Sequence, residues 1–424
     1  MRVRRSPAAL RPPARLGVPG SVFTLSTALL GIVVATSVVA AAETRALWVL
    51  SASLTSAERV ASVVRAAGDN GFNTLLVQVR GRGDAYYLGG SEPPGAGFDP
   101  AFDPLATLIN LAHRRQLAVH AWVNVNFVAS ATYLPSDPRH VVRAHPEWIM
   151  VPRGAVASLA GLHPTDAGYV ERLASWVRTH DRTAEGLYTS PLVPEAADHV
   201  VDVIGDLVAR YPLDGVHLDY IRFPSAEYDY GRLALEAFRR SVDPELDATT
   251  RAMLATRRTV DPQIDTRQFP ERWAAFRRDR LTALVARVAA TVHARRPGAV
   301  LSASVVPDAS EAFDHRLQDW RRWVAEGLLD ALCPMVYTTD PVAYGTDLAA
   351  LADWVHDTRI WVGIGAYRLT ARETVTRIGV ARRHGVDGIV LFSYDSLVER
   401  SVDYLPAVGR AAFGATIEAA RSNR

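Results

Sequence analysis

Lysine is absent from this 424-residue sequence, so all 47 basic side chains are arginine. That excludes a Walker-type phosphate loop, a pyridoxal Schiff base and a lysine nucleophile. Cysteine is almost absent as well. The single thiol, Cys333, excludes an internal disulfide framework and a cysteine-ligated zinc or iron–sulfur cluster. No G-x-G-x-x-G turn follows the first apolar run, and no G-x-S-x-G elbow occurs anywhere. Both absences argue against a dinucleotide fold and a serine hydrolase.

What is present is the composition of a globular protein, 49% hydrophobic and 22% charged. The formal charge of +2 misleads, because residues 1–42 carry five arginines and no acid. Removing those five charges leaves −3 on the remaining 382 residues. A body of that charge has no electrostatic footprint for nucleic acid. The same N-terminal stretch runs from arginine-rich to apolar (Val22–Ala42, no charged residue) and ends in three alanines. These are the parts of a secretory signal peptide, and the apolar span is also long enough for an uncleaved anchor. On either reading, the body from Glu43 onward works outside the cytoplasm and meets the membrane only through that anchor.

Eight short apolar runs alternate with helical periodicity across the body. They are Arg45–Ser51, Thr74–Arg80, Leu117–Phe127, Asp214–Pro224, Val300–Asp308, Leu329–Thr338, Arg359–Arg368 and Gly385–Ser393. Fully apolar strands alternating with helices predict a parallel α/β architecture, and eight is the count that closes a (β/α)8 barrel. Long insertions follow strand three (Val128–Val193) and strand four (Ser225–Gln263). Both leave from strand C-terminal ends, the face where such barrels place active sites. The division is therefore 1–42 as signal or anchor, 43–410 as one barrel domain and 411–424 as a tail. Trp273, Trp320, Trp323 and Trp354 fall in helical segments and read as core. An open doubly wound sheet is the alternative.

The predicted C-terminal strand ends are polar and aromatic. They offer Arg80 and Asp84 after strand two, and His120, Trp122 and Asn124 on one face of strand three. Strand four carries His217 and Asp219 on one face, with Tyr220 and Arg222 interleaved, and Asp308, Asp340, Tyr337 and Tyr367 close later strands. Aromatic rings stack on sugars, amides and guanidinium groups hold hydroxyls and acidic substituents, and two carboxyls act on the glycosidic bond.

The segments QVRGRGDAYY (78–87), VHAWVNVN (119–126), HPEW (145–148), DGVHLDYIRFP (214–224), CPMVY (333–337) and GIGAYR (363–368) resemble the glycoside-hydrolase-like family 10 proteins, formerly DUF187. The sequence departs from the family pattern at Gly81 and at Val123-Asn124-Val125. The resemblance implies an exported (β/α)8 barrel acting on cell-envelope glycan, with peptidoglycan strands as the leading substrate.

On the residues themselves, Asp219 is the first choice for a catalytic carboxylate, since a charge within an apolar run must be paired or open to a cavity. It is expected to act as nucleophile or charge stabiliser. Asp308, or else Asp340, is expected as the proton donor, with Asp84 and Asp395 as further candidates for that second carboxyl. Arg80 and Asp84 either bind substrate or pair with each other. His120 and His217 are expected at the barrel mouth, bonded to sugar hydroxyls or to Asp219, with no metal and no cofactor. Trp122, Asn124, Tyr220, Arg222, Tyr337 and Tyr367 are expected to contact substrate. The rival is a barrel that binds glycan without cleaving it. The sequence carries no signal for an oligomeric state.

Overall fold

In chain order the strands are β1 (Thr44–Val49), β2 (Thr74–Arg80), β3 (Ala118–Asn124), the short pair β4 (Phe127–Ser130) and β5 (Gly186–Tyr188), then β6 (Gly215–Asp219), β7 (Val300–Val305), β8 (Ala331–Val336), β9 (Arg359–Ile364) and β10 (Gly388–Leu391). The computed structural model describes residues 42–181, 183–352, 354–355 and 358–414. The basic and apolar N-terminal segment through Ala41, where the signal or anchor was expected, lies outside them. Among the described residues no helix is long and apolar enough to cross a membrane.

Eight strands close a parallel barrel in the order β1-β10-β9-β8-β7-β6-β3-β2, while β4 and β5 form a separate antiparallel pair. Closure is made by β1 on β10, from Thr44 opposite Gly388 to Leu47 opposite Leu391. Helices cover the outside, as a parallel sheet requires. Ser56 and Asp103 accept hydrogen bonds from the backbone N–H groups of Arg59 and Ala106 and so start the first two helices. The fold is a (β/α)8 barrel.

The register stacks the interior in layers. Asn124 lies opposite Asp219, Trp122 opposite His217, and His120 opposite Gly215. Trp48, Leu76, Trp122, Cys333 and Trp361 fill the interior beneath the mouth. Gly363 is bare because a Cβ there would lie 2.8 Å from the Trp48 indole, and one at Gly215 would lie 2.5 Å from the His120 ring.

Every barrel strand but β2 ends before its apolar run does, and β3 and β6 show why. β3 stops at Asn124, because the chain turns outward and Phe127 opens β4. β6 stops at Asp219, because Tyr220 takes a left-handed backbone (φ +50°), a conformation that side-chain-bearing residues adopt at a cost. The insertion after β3 has its own small core, including Val128, Leu173 and Leu187. At the other end, the helix Tyr404–Phe413 crosses the boundary expected at residue 410, since Phe413 packs on Phe72 with ring centroids 5.1 Å apart. Trp354 is not core: it is 53% exposed, with the Arg321 guanidinium 4.9 Å from its ring.

Candidate active site

A cavity of about 630 Å³ opens at the C-terminal end of the barrel. Its floor is the top interior layer. Asn124 Oδ1 accepts the Trp122 indole N–H at 2.8 Å, and the Asn124 amide donates to the Gly81 carbonyl at 2.7 Å. Beside Asn124, Asp219 faces the cavity. Burial pushes its carboxyl up to about 6; the Tyr220 N–H on Oδ1 (2.7 Å) and the charge of Arg222 oppose that rise, while the charge of Glu185 adds to it. Asp219 therefore holds a proton over much of the mildly acidic range. The left-handed turn at Tyr220 is what aims its own N–H back at that carboxylate, and the Tyr220 ring stacks on Phe127 at 4.8 Å.

Two further carboxylates line this cavity: Asp84, bonded to backbone N–H groups of its own loop, and Glu185. Burial acts to raise the Glu185 carboxyl, but Arg222 and the Tyr188 hydroxyl outweigh burial and hold it below the ordinary glutamate value. Arg222 Nη2 donates to Oε1 at 2.9 Å and the Tyr188 hydroxyl donates to Oε2 at 2.6 Å. Two cavity carboxyls thus have opposite tendencies, one protonated and one ionised, which is the division of labour acid–base chemistry needs. Sequence reasoning missed Glu185. It sits just before β5, inside an insertion, and only the antiparallel pairing of β5 with β4 carries it to the barrel mouth.

Of the residues singled out in the sequence, the structure brings Asp84, Trp122, Asn124, Asp219, Tyr220, Arg222, Tyr337 and Tyr367 to the cavity wall. It does not bring Asp308 or Asp340 there. Both are exposed. Asp308 Oδ1 accepts the N–H groups of Ser310 and Glu311 at 2.8 Å each, and Asp340 Oδ1 accepts that of Val342 at 2.7 Å, so each caps the turn that follows. Arg80 points away from the cavity into a buried ion pair with Glu92 (2.7 and 2.6 Å), and its Nη1 donates to the carbonyls of Asn124 and Val125. Asp84 does not pair with it; Asp84 Oδ1 accepts the N–H groups of Gly81 (3.1 Å) and Arg82 (2.7 Å).

The two histidines also lie deeper than expected. His217 Nε2 accepts the Trp48 indole N–H at 3.1 Å, so Nδ1 carries the ring proton and donates to Ser302 Oγ at 2.9 Å. Burial, helped by nearby His120, brings His217 down to about 3. Burial brings His120 down to about 4, against the opposing charge of Asp214 at the N-terminal end of the barrel. Both are neutral packing groups of the barrel interior and not mouth residues.

The model for the family described as glycosyl hydrolase-like 10 matches residues 43–380. The chain belongs to that family. Glycosyl hydrolase YngK of Bacillus subtilis strain 168 is 25% identical over 344 residues, covering 70% of this chain and 53% of that protein. Glycosyl hydrolase DigH of Escherichia coli strain K12 is 25% identical over 331 residues, covering 70% of this chain and 63% of that protein. The family member described here therefore spans a little over half the length of each. Among solved structures, the glycoside hydrolase domain of PgaB (BpsB) from Bordetella bronchiseptica superposes with a TM-score of 0.58 at 13% identity, covering 88% of this chain and 99% of that one. A β-galactosidase from Marinomonas ef1 gives 0.55 at 11% identity, covering 83% and 54%. These likenesses concern the fold alone, a (β/α)8 barrel.

Proposed function

We propose that this protein is an exported glycoside hydrolase that cleaves envelope polysaccharide, with peptidoglycan glycan strands as the substrate. The observation that carries the reading is the pair of cavity carboxyls in opposite protonation tendencies, Asp219 raised and Glu185 lowered. In this reading Asp219 donates the proton to the glycosidic oxygen, and ionised Glu185 serves the opposite side of the bond as nucleophile or base. That exchanges the role first expected of Asp219 and replaces Asp308 and Asp340 by Glu185. Tyr337 and Tyr367 supply ring faces for stacking, and Asn124 keeps the floor rigid through its two hydrogen bonds, one of them to the buried Trp122 indole. Family membership supports hydrolysis of a glycan, and the basic and apolar N-terminal segment supports export.

One observation favours the rival, a binder without chemistry: both oxygens of Glu185 are already engaged by protein groups. The test is digestion of a glycan panel that includes peptide-free peptidoglycan strands, by the full chain and by Asp219→Asn, with products read by mass spectrometry. New reducing ends formed by the wild type and not by the variant support the hydrolase. Binding of the strands without cleavage by either protein would overturn it in favour of the binder.

A further inference from the structure

Two arginines, Arg82 and Arg222, line the cavity, and a third, Arg80, points away from it. Arg80 is spent on Glu92 and Arg222 on Glu185. Arg82 differs. It is exposed, it lines the cavity, and among the described residues its guanidinium makes no ion pair or hydrogen bond. Its backbone is nonetheless fixed from both sides: its N–H donates to Asp84 Oδ1 at 2.7 Å, and its carbonyl accepts His140 Nε2–H at 2.7 Å. Asp84, the adjacent acid, uses that same oxygen on two backbone N–H groups. The guanidinium lies 6.0 Å from the centroid of Phe127, whose ring stacks on Tyr220 next to Asp219. An unpaired fork of donors on a rigid loop, one aromatic pair away from the reacting carboxyl, is a receptor for an anionic group on the substrate.

We infer that Arg82 is a specificity-determining residue, and that the glycan it selects carries a carboxylate on a sugar close to the cleaved bond. This rests on the glycosidase reading above and narrows it to acidic glycans. A neutral chitin-like strand would leave the guanidinium facing only water. An acidic strand would exchange that water for a bidentate pair, the kind of contact that separates substrates by about tenfold to a hundredfold.

The test uses the full chain and two matched substrates: peptide-free peptidoglycan strands, and the same strands with their carboxyls converted to methylamides. The wild type should show a kcat/KM at least about tenfold higher on the free acid. Arg82→Gln should bring that ratio close to one, mainly through KM on the acid, and Arg82→Lys should fall between. Equal cleavage of both substrates by the wild type overturns the inference, as does a loss in Arg82→Gln that is the same on both. Calorimetric titration of Asp219→Asn with the two strands separates this inference from the parent reading. Preference for the acid in binding, with no cleavage by the wild type, keeps the carboxylate receptor and overturns hydrolysis. Binding and cleavage of neither strand overturn both.

Discussion

The barrel mouth and the junction between the two insertions each hold one aspartate that burial pushes up to about 6. At the mouth it is Asp219, opposed by the Tyr220 N–H and by Arg222. At the junction it is Asp229, whose Oδ1 accepts the N–H groups of Val151 (2.8 Å) and Gly231 (2.7 Å), tying one insertion to the other. The same shift arises from the same cause at both places. Access separates them, since Asp219 lines a cavity while Asp229 is 1% exposed and does not line it. A displaced pKa therefore reports the cost of burial, and only an opening to substrate converts it into chemistry.

The strongest way to break this contrast is to remove each proton site without changing shape. Asp219→Asn should lower kcat by about 10²–10⁴-fold, the usual worth of a positioned acid. Asp229→Asn should leave kcat close to wild type, because the amide oxygen still accepts both N–H groups. Steady-state rates on the same glycan check both; equal losses would erase the distinction between the two regions.

Stability should reverse the order. Near pH 4, where the Asp229 carboxyl keeps its proton in the fold, Asp229→Ala leaves two buried N–H groups without an acceptor and should cost about 2–4 kcal/mol. For Asp219 the folded-state pKa lies above the unfolded value, so its ionisation opposes folding. The penalty is absent below pH 3.8, grows as pH rises towards 6 and is complete above it, reaching up to about 3 kcal/mol. Asp219→Asn should therefore be more stable than wild type at pH 7, with the difference gone near pH 4. Urea unfolding at the two pH values measures this.

A third prediction sharpens the mouth itself. Glu185→Gln should lower kcat by about 10²-fold or more, and Tyr188→Phe, which removes one of its two hydrogen bonds, should lower it less. A Glu185→Gln variant with full activity would remove Glu185 from the chemistry and leave Asp84 as the other acid on the cavity wall.

How much of this was legible in the sequence follows from the range of each signal. Strand identity is local, and all eight barrel strands coincide with apolar runs. Strand ends are not local: β3 and β6 stop where Arg80 clamps the Asn124 and Val125 carbonyls and where Tyr220 turns left-handed. Alternation assigned His120 and His217 to the correct face but could not give depth. At about 3.3 Å per residue, His217 lies about 7 Å below Asp219, and His120 about 13 Å below Asn124. The Asp340-Pro341 step is a helix-start signal that outweighs a catalytic reading of Asp340. Glu185 had no local signal at all, because a strand pairing across the whole first insertion delivers it.

The pH profile is the gentlest probe of the mouth, and it uses both carboxyls at once. Asp219 must hold its proton to donate it, so kcat/KM should fall above about pH 6, by about tenfold per pH unit. Glu185 must be ionised, and Arg222 and Tyr188 keep it so, which puts the acid limb below the ordinary glutamate range. The expected bell peaks between those limbs, on the acid side of neutrality. Arg222→Gln removes the cation that favours Glu185⁻, so it should move the acid limb upward. It also removes a cation that favours ionised Asp219, so the alkaline limb should move upward too. A joint displacement of both limbs ties the two carboxyls to one guanidinium, whereas a profile unmoved by Arg222→Gln would separate the titrating groups from this cavity altogether.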